Sequence, residues 1–278
     1  MRVARRFGQA LVLGCHEGYP GHHVLNLLNE EKLTKQRGWI EFTINPLYGP
    51  QSLISEGSAN FGYQNGIVLN NPPVLLIMGI TAPGGVWEKH AEFWAKSFRC
   101  IMPDNRGVGL TDKPAGPYSS AMMADDFVGL LDALGLKQVR VVGCSMGSVI
   151  AQQLALRHPT RVRSLVLMCP WARCDAYARG IFEHMKTIKA RLRPEEFMNY
   201  IQLLIFSKPT WDDATSYAGL LDGQKQAGEG AAPQPLHALE AQAAACVGHD
   251  VVRELGKIKA PTLVIGGDAV LVDALVAQ

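Results

Sequence analysis

"VRVVGCSMGSVIAQQLALRHP", residues 139–159, decides the fold. A β-branched run from Val139 to Val142 enters Gly143-Cys144-Ser145-Met146-Gly147, and a segment with helical apolar spacing leaves it. A strand, a serine between glycines and a helix make a corner tight enough to strain the serine and hold its hydroxyl at the edge of a sheet. Glycines two before and two after are needed because strand and helix backbones nearly touch there. The helix N-terminus also aims unsatisfied N–H groups and a positive dipole end at whatever reacts beside the hydroxyl. The bare pentapeptide can arise as a packing turn; flanked by strand and helix, it marks Ser145 as a candidate nucleophile.

Outward from this corner the chain keeps one rhythm. "PVLLIM" (73–78) is a short apolar run before a Gly-rich turn, "HAEFWAKSF" (90–98) has helical spacing, and "RCIMPD" (99–104) is strand-like. "SSAMMADDFVGLLDALGL" (119–136) reads as an amphipathic helix with serines at its start and Gly135 at its end. "RVRSLVLMC" (161–169) and "APTLVIGGD" (260–268) are further strands. Alternation at these intervals predicts βαβ units and a mostly parallel, doubly wound sheet. Between Pro170 and Lys259 the pattern turns helical without strands, as in a cap inserted over the sheet edge. Residues 1–70 do not fit the rhythm; they are mixed, mostly helical, and joined to the rest near "NGIVLNNPP" (65–73). The expected divisions are 1–70 as a helical N-terminal segment, 71–170 as the first part of the core, 171–257 as the cap and 258–278 as the last part of the core.

The 278 residues are 47% hydrophobic and 19% charged, with a formal net charge of +2. Charge so evenly balanced gives no clustered basic face for nucleic acid. No apolar run approaches the ~18 residues of a membrane span. "MRVARRFGQALVLGC" has early arginines but an apolar part shorter than the ~7 residues of a signal sequence. A lipoprotein-type cleavage before Cys15 and an ordinary amphipathic segment are both readings of it. Six cysteines without CxxC spacing suit a reducing, cytoplasmic setting. Nothing in the sequence reports the oligomeric state.

"PPVLLIMGI", Trp87, "IMPDNRGVGLTDKP", "GCSMGSVIAQQLALRHPTRVRSLVLMCP" and "IKAPTLVIGGD" together resemble an α/β-hydrolase of the esterase, proline-iminopeptidase and haloperoxidase-like group over residues 73–268. The resemblance implies a sheet with a helical cap and an acyl-enzyme mechanism through Ser145, acting on a small ester or acyl substrate without a cofactor. By position, the backbone N–H groups of Met146 and Ile80 would form the oxyanion hole. The family often has His-Gly where this chain has Met78-Gly79, and only the backbone acts there. Arg106 of "DNRGVG" is read as a structural hydrogen-bonder. The family's hairpin before "PPVLLIMG" is not recognisable, so the sheet is expected to be incomplete at both ends.

The resemblance places the acid in G-x-x-D after the last strand. Counted from Gly267 that position is Val270, so Asp268, two residues early, is the candidate acid, with Asp273 and Asp175 as less regular alternatives. The family histidine follows one more strand, and no histidine follows Asp268 in this chain. His158 and His249 read as structural, and His184 and His237 belong to the cap. A serine without an imidazole is a weak nucleophile at neutral pH, and loss of a triad member lowers the rate by roughly 10⁴-fold.

"HEGYPGHH" (16–23) raises a separate possibility. H-E-x-x-H binds zinc because i and i+4 share a helix face, but here the fifth position is Pro20. On an ideal helix His16 and His23 lie ~20° apart in projection and His16 and His22 ~120° apart. A kink at Pro20 leaves the choice open. The stretch resembles zinc-metallopeptidase-like proteins carrying HExxPGHH, with "LISEGSANFG" downstream. That resemblance implies Zn²⁺ on His16, His22 or His23, and Glu56, with Glu17 as base, over residues 10–65. Three functions follow as expectations: an impaired serine hydrolase, a zinc metallohydrolase, and a non-catalytic binding protein of the same fold.

Overall fold

A computed structural model describes residues 71–229 and 233–266. Its residues fall into two compact units, one containing Glu88–Ile101 and the other Val74–Trp87 with the chain from Met102 onward. In the smaller unit, helix α1 (Glu88–Trp94) packs on strand β2 (Arg99–Ile101). Both are shorter than the sequence pattern suggests, the helix ending at Trp94 rather than running to Phe98.

The larger unit is built on parallel strands. β1 (Pro73–Ile77) pairs with β3 (Val139–Cys144), β3 with β4 (Val162–Met168), and β4 with β5 (Thr262–Ile265). Register runs through Ile77 opposite Gly143 and Cys144 opposite Met168, so the carboxyl ends of β1, β3 and β4 come out side by side. Leu75, Leu76 and Ile77 are fully buried, as a central strand of a covered parallel sheet requires.

Helix α2 (Ser120–Ala133) starts and ends where its sequence says. Ser119 accepts a hydrogen bond from the Met122 N–H at 3.1 Å, and Gly135 takes a left-handed φ of 66° just past the end. Helix α3 (Met146–Arg157) follows the serine corner and packs against β3, β4 and α2, burying Val149, Ile150 and Leu154. At roughly 25 cal/mol per Å², each such side chain contributes about 2 kcal/mol of burial.

Between β4 and β5 the described chain is mainly helical. Its helices are α4 (Ala176–Lys189), α5 (Pro194–Ile205), α6 (Lys208–Asp212), α7 (Ala214–Glu229) and α8 (Leu236–Val247). α8 packs on α4, and α5 on α7. α8 differs from the others in being buried on most of its circumference, with Leu239, Gln242, Ala243 and Cys246 all inaccessible. No helix among the described residues is long and apolar enough to cross a membrane.

Candidate active site

Ser145 sits between β3 and α3 with φ 54° and ψ −120°, a conformation that costs a non-glycine residue about 1–3 kcal/mol. It persists because the neighbours leave no alternative. The Ser145 N–H donates to Met168 O at 2.9 Å, and its own carbonyl accepts from Ser148 N at 2.8 Å and Ser148 Oγ at 2.6 Å. The two glycines meet the demand read from the pentapeptide. A Cβ on Gly147 would lie 2.1 Å from Ile77 O, and one on Gly143 would lie 2.4 Å from Gly147 O. Strand and helix therefore touch backbone to backbone, and the corner closes only with hydrogens at both positions.

Ser145 is half-buried, and its Oγ makes no hydrogen bond among the described residues. Across from it runs the segment after β1. A Cβ on Gly79 would stand 3.3 Å from Ser145 Cβ and 3.7 Å from Oγ, so the Gly79–Ile80 peptide flanks the hydroxyl. Neither the Ile80 nor the Met146 N–H donates to an acceptor among the described residues. Two open N–H groups, one from a loop and one from a helix N-terminus, thus lie on either side of the serine in sequence and near it in space.

The loop is held from outside. Asn105 Nδ2 donates to Met78 O at 2.7 Å, and Asp104 accepts from the Gly84 N–H at 2.6 Å and the Leu110 N–H at 2.8 Å. Charge-assisted bonds of this kind are about twice as strong as neutral ones. Arg106, next in the same run, forms a two-pronged ion pair with Asp126 and lies 5.4 Å from the Tyr118 ring centroid. It is a structural link.

Every described histidine is engaged elsewhere. His158 Nε2 pairs with Asp125 at 2.7 Å, His237 Nε2 with Lys113 O at 2.9 Å, and His249 Nδ1 with Ser120 Oγ at 3.0 Å. His184 meets the Tyr200 ring edge-on, and His90 lies against Trp94. Burial pushes His249 down to about 4, so it is neutral at pH 7. Asp175 caps α4, accepting the Ala178 N–H at 2.8 Å. Asp268, the candidate acid, and Asp273 lie outside the described residues, as do His16, Glu17, His22, His23 and Glu56. Among the described residues no group of three or more His, Cys, Asp or Glu could hold a metal ion.

The family model of the alpha/beta hydrolase fold matches residues 72–269. Over 139 residues the chain is 35% identical to "Putative carbamate hydrolase RutD" of Azorhizobium caulinodans, covering 50% of this chain and 52% of that protein. Over 99 residues it is 43% identical to 2-hydroxymuconate semialdehyde hydrolase of Pseudomonas putida, covering 34% and 35%. The chain spans about half the length, or less, of these curated relatives. Among solved structures, a thermophilic esterase from Thermogutta terrifontis superposes with a TM-score of 0.62 at 25% identity, over 74% of this chain and 76% of that one.

Proposed function

Because the chain belongs to the alpha/beta hydrolase fold family, we propose that it is a serine hydrolase acting on a carboxylic ester or related acyl bond of a small molecule through Ser145. The observation that carries this reading is the strained backbone of Ser145, φ 54° and ψ −120°, beside the open N–H groups of Ile80 and Met146. Strain held by over-determined packing at a strand end is a signature of a functional residue rather than a packing turn. The names of the relatives, a carbamate hydrolase, a semialdehyde hydrolase and an esterase, support hydrolysis beside a carbonyl group.

In the proposed reaction Ser145 Oγ attacks the carbonyl carbon. The carbonyl π pair moves onto oxygen, which accepts from the Ile80 and Met146 N–H groups. Collapse of the tetrahedral intermediate breaks the bond to the leaving oxygen, and the alcohol departs with the proton that Ser145 gave up. Water then adds to the acyl-serine by the same path, releasing the acid and returning a proton to Oγ. Each oxyanion donor is worth about 10²–10³ in rate. Asp268 is the acid in this proposal. The hydrolase needs no cofactor in this proposal. A reducing, cytoplasmic setting, which fits six cysteines without CxxC spacing, is part of this proposal.

A fluorophosphonate probe tests it, with the labelled residue mapped by mass spectrometry. Oγ–P bond formation with loss of fluoride and the serine proton at Ser145 alone, abolished in Ser145→Ala and insensitive to a chelator, is the expected result. A folded protein that the probe leaves unlabelled at Ser145 overturns the proposal.

A further inference from the structure

We propose that Gln242, in helix α8, is a positioning residue for the Ile80 N–H, holding it in the orientation that the oxyanion requires. This rests on Ser145 acting as described above.

The backbone on either side of Ile80 consists of three successive peptides. The first carries the Met78 carbonyl, tied by Asn105 Nδ2 at 2.7 Å. The third carries the Thr81 N–H, which donates to Gln242 Oε1 at 3.0 Å. The middle peptide carries the Ile80 N–H, which has no acceptor among the described residues. Two anchored peptides thus flank the single one whose N–H has no acceptor among the described residues, next to Gly79, which borders Ser145. Thr81 itself has φ 66°, a left-handed backbone that a β-branched residue adopts only when something fixes it. Its hydrogen bond to Gln242 supplies that constraint and crosses 161 residues of sequence to do so.

Gln242 is itself fixed. It is fully buried, and its Nε2 donates to Arg106 O at 2.8 Å, while its Oε1 also accepts from Gln234 Nε2 at 2.9 Å. Gln234 Nε2 in turn donates to Gly107 O at 3.0 Å. The orientation of the amide follows from chemistry. Flipped, its NH₂ would face the Thr81 N–H, donor against donor, and its oxygen would face the Arg106 carbonyl. Both polar atoms of the Gln242 amide are thus partnered, and only this orientation of it sets acceptor against donor at each contact. The other buried residues of α8 that surround Gln242 are Ala, Leu and Cys, none of which could take over its bonds. Gln242 touches no reacting atom; it acts through the Ile80–Thr81 peptide.

A purely structural glutamine and a positioning one differ in what they change. The rate of Ser145 phosphonylation is measured with the fluorophosphonate probe in the full chain, alongside amide exchange over residues 78–82 and the urea midpoint. Gln242→Leu is expected to slow labelling about 10–100-fold, a part of the value of one oxyanion donor. Thr81 exchange should rise at least about tenfold while β1 amides stay protected. Gln242→Glu keeps an acceptor for Thr81 and, when protonated in its buried site, a donor for Arg106 O. It should recover labelling to within about threefold of wild type. If Gln242→Leu does not fold, Gln242→Asn, one methylene short of spanning both partners, takes its place. Wild-type labelling rate in a folded Leu or Asn variant overturns the assignment. If wild type itself is unlabelled, the Ser145 reading falls separately. Unchanged Thr81 exchange in the variant would then overturn the positioning role as well, and raised exchange would support it.

Discussion

The corner at Ser145 and the loop at Ile80 face one another, yet they are built by opposite means. The corner is made by its neighbours in the chain: Gly143 and Gly147 let two backbones touch, and Ser148 returns to the Ser145 carbonyl three residues away. The loop is made by distant side chains. Asp104 reaches Gly84 across 20 residues, Asn105 reaches Met78 across 27, and Gln242 reaches Thr81 across 161. Steric closure tolerates nothing larger than hydrogen, whereas a hydrogen-bonded loop can loosen by degrees. Mutations on the two sides should therefore differ in kind, one failing as a fold and the other as a geometry.

The largest effect expected is at Gly147. Gly147→Ala places a methyl 2.1 Å from Ile77 O and 2.6 Å from Ile77 C, and backbone on both sides cannot move away cheaply. A loss of more than about 4 kcal/mol is expected, read as a collapse of the urea midpoint or of soluble yield. Gly79→Ala across the way meets Ser145 Cβ at 3.3 Å, a contact that a few tenths of an ångström relieve. That variant should fold and label more slowly. Equal stability of the two variants would break the contrast between corner and loop.

Acid should act next, and on the loop side. His249 follows the end of α8, is buried, and has Nδ1 on Ser120 Oγ and Nε2 without a partner among the described residues. Burial lowers it to about 4 from its ordinary 6.5, while the neighbouring Asp250 carboxylate pulls the other way. Between those values the unfolded chain binds a proton that the folded chain does not, so stability rises with pH across that window. It is complete above about pH 6.5 and lost as pH falls toward 4, by roughly 3 kcal/mol from this group. Urea unfolding of wild type and His249→Gln across pH 7.5 to 4.5 isolates it, because other carboxylates cancel in the difference. Parallel curves for the two proteins would refute this. Thr81 exchange should rise with acid before that of β3, because α8 carries the loop's anchor.

Asp104→Asn is a middle case. Its carboxylate accepts two N–H groups, from Gly84 and Leu110; an amide keeps one acceptor and turns a donor toward the other. About 1–2 kcal/mol and a few-fold slower labelling are expected. Loss of stability with unchanged labelling would show that the loop's far end does not set the Ile80 geometry.

The same contrast governs what the sequence disclosed. The strand, corner and α3 were legible because their causes are local: β-branched residues, glycines at fixed offsets, a 3.6-residue period. So was α2, with Ser119 at its start and Gly135 past its end. The helical stretch between β4 and β5 showed in the lack of strand patterning. The anchors of the loop were not legible as anchors, because a long-range hydrogen bond leaves no period. For Gln242 one faint signal existed, an uncharged polar residue among the alanines of "LHALEAQAAACV", which otherwise carries only His237 and Glu240 as polar residues. His158 reads as structural from the sequence, but the partner that orients it, Asp125 on α2, lies 33 residues away and leaves no local signal.

Asp125 also supplies the smallest expected effect. It bonds His158 and Arg157 where α3 ends, and the His158 hydrogen bond, followed by that of Arg157, lowers its pKa below the usual carboxylate value. A depressed carboxylate stabilises above its unfolded pKa and loses that contribution as pH falls through the folded one. With Asp125 about half exposed, solvent screens most of this, and Asp125→Asn should change stability at pH 7 by no more than about 0.5 kcal/mol. Ser145 labelling should be unchanged within twofold. The pair lies at the far end of the helix whose first turn forms the corner, and a corner closed by backbone contact has no need of an anchor there. A tenfold drop in labelling from Asp125→Asn would mean that α3 depends on distant side chains just as the loop does.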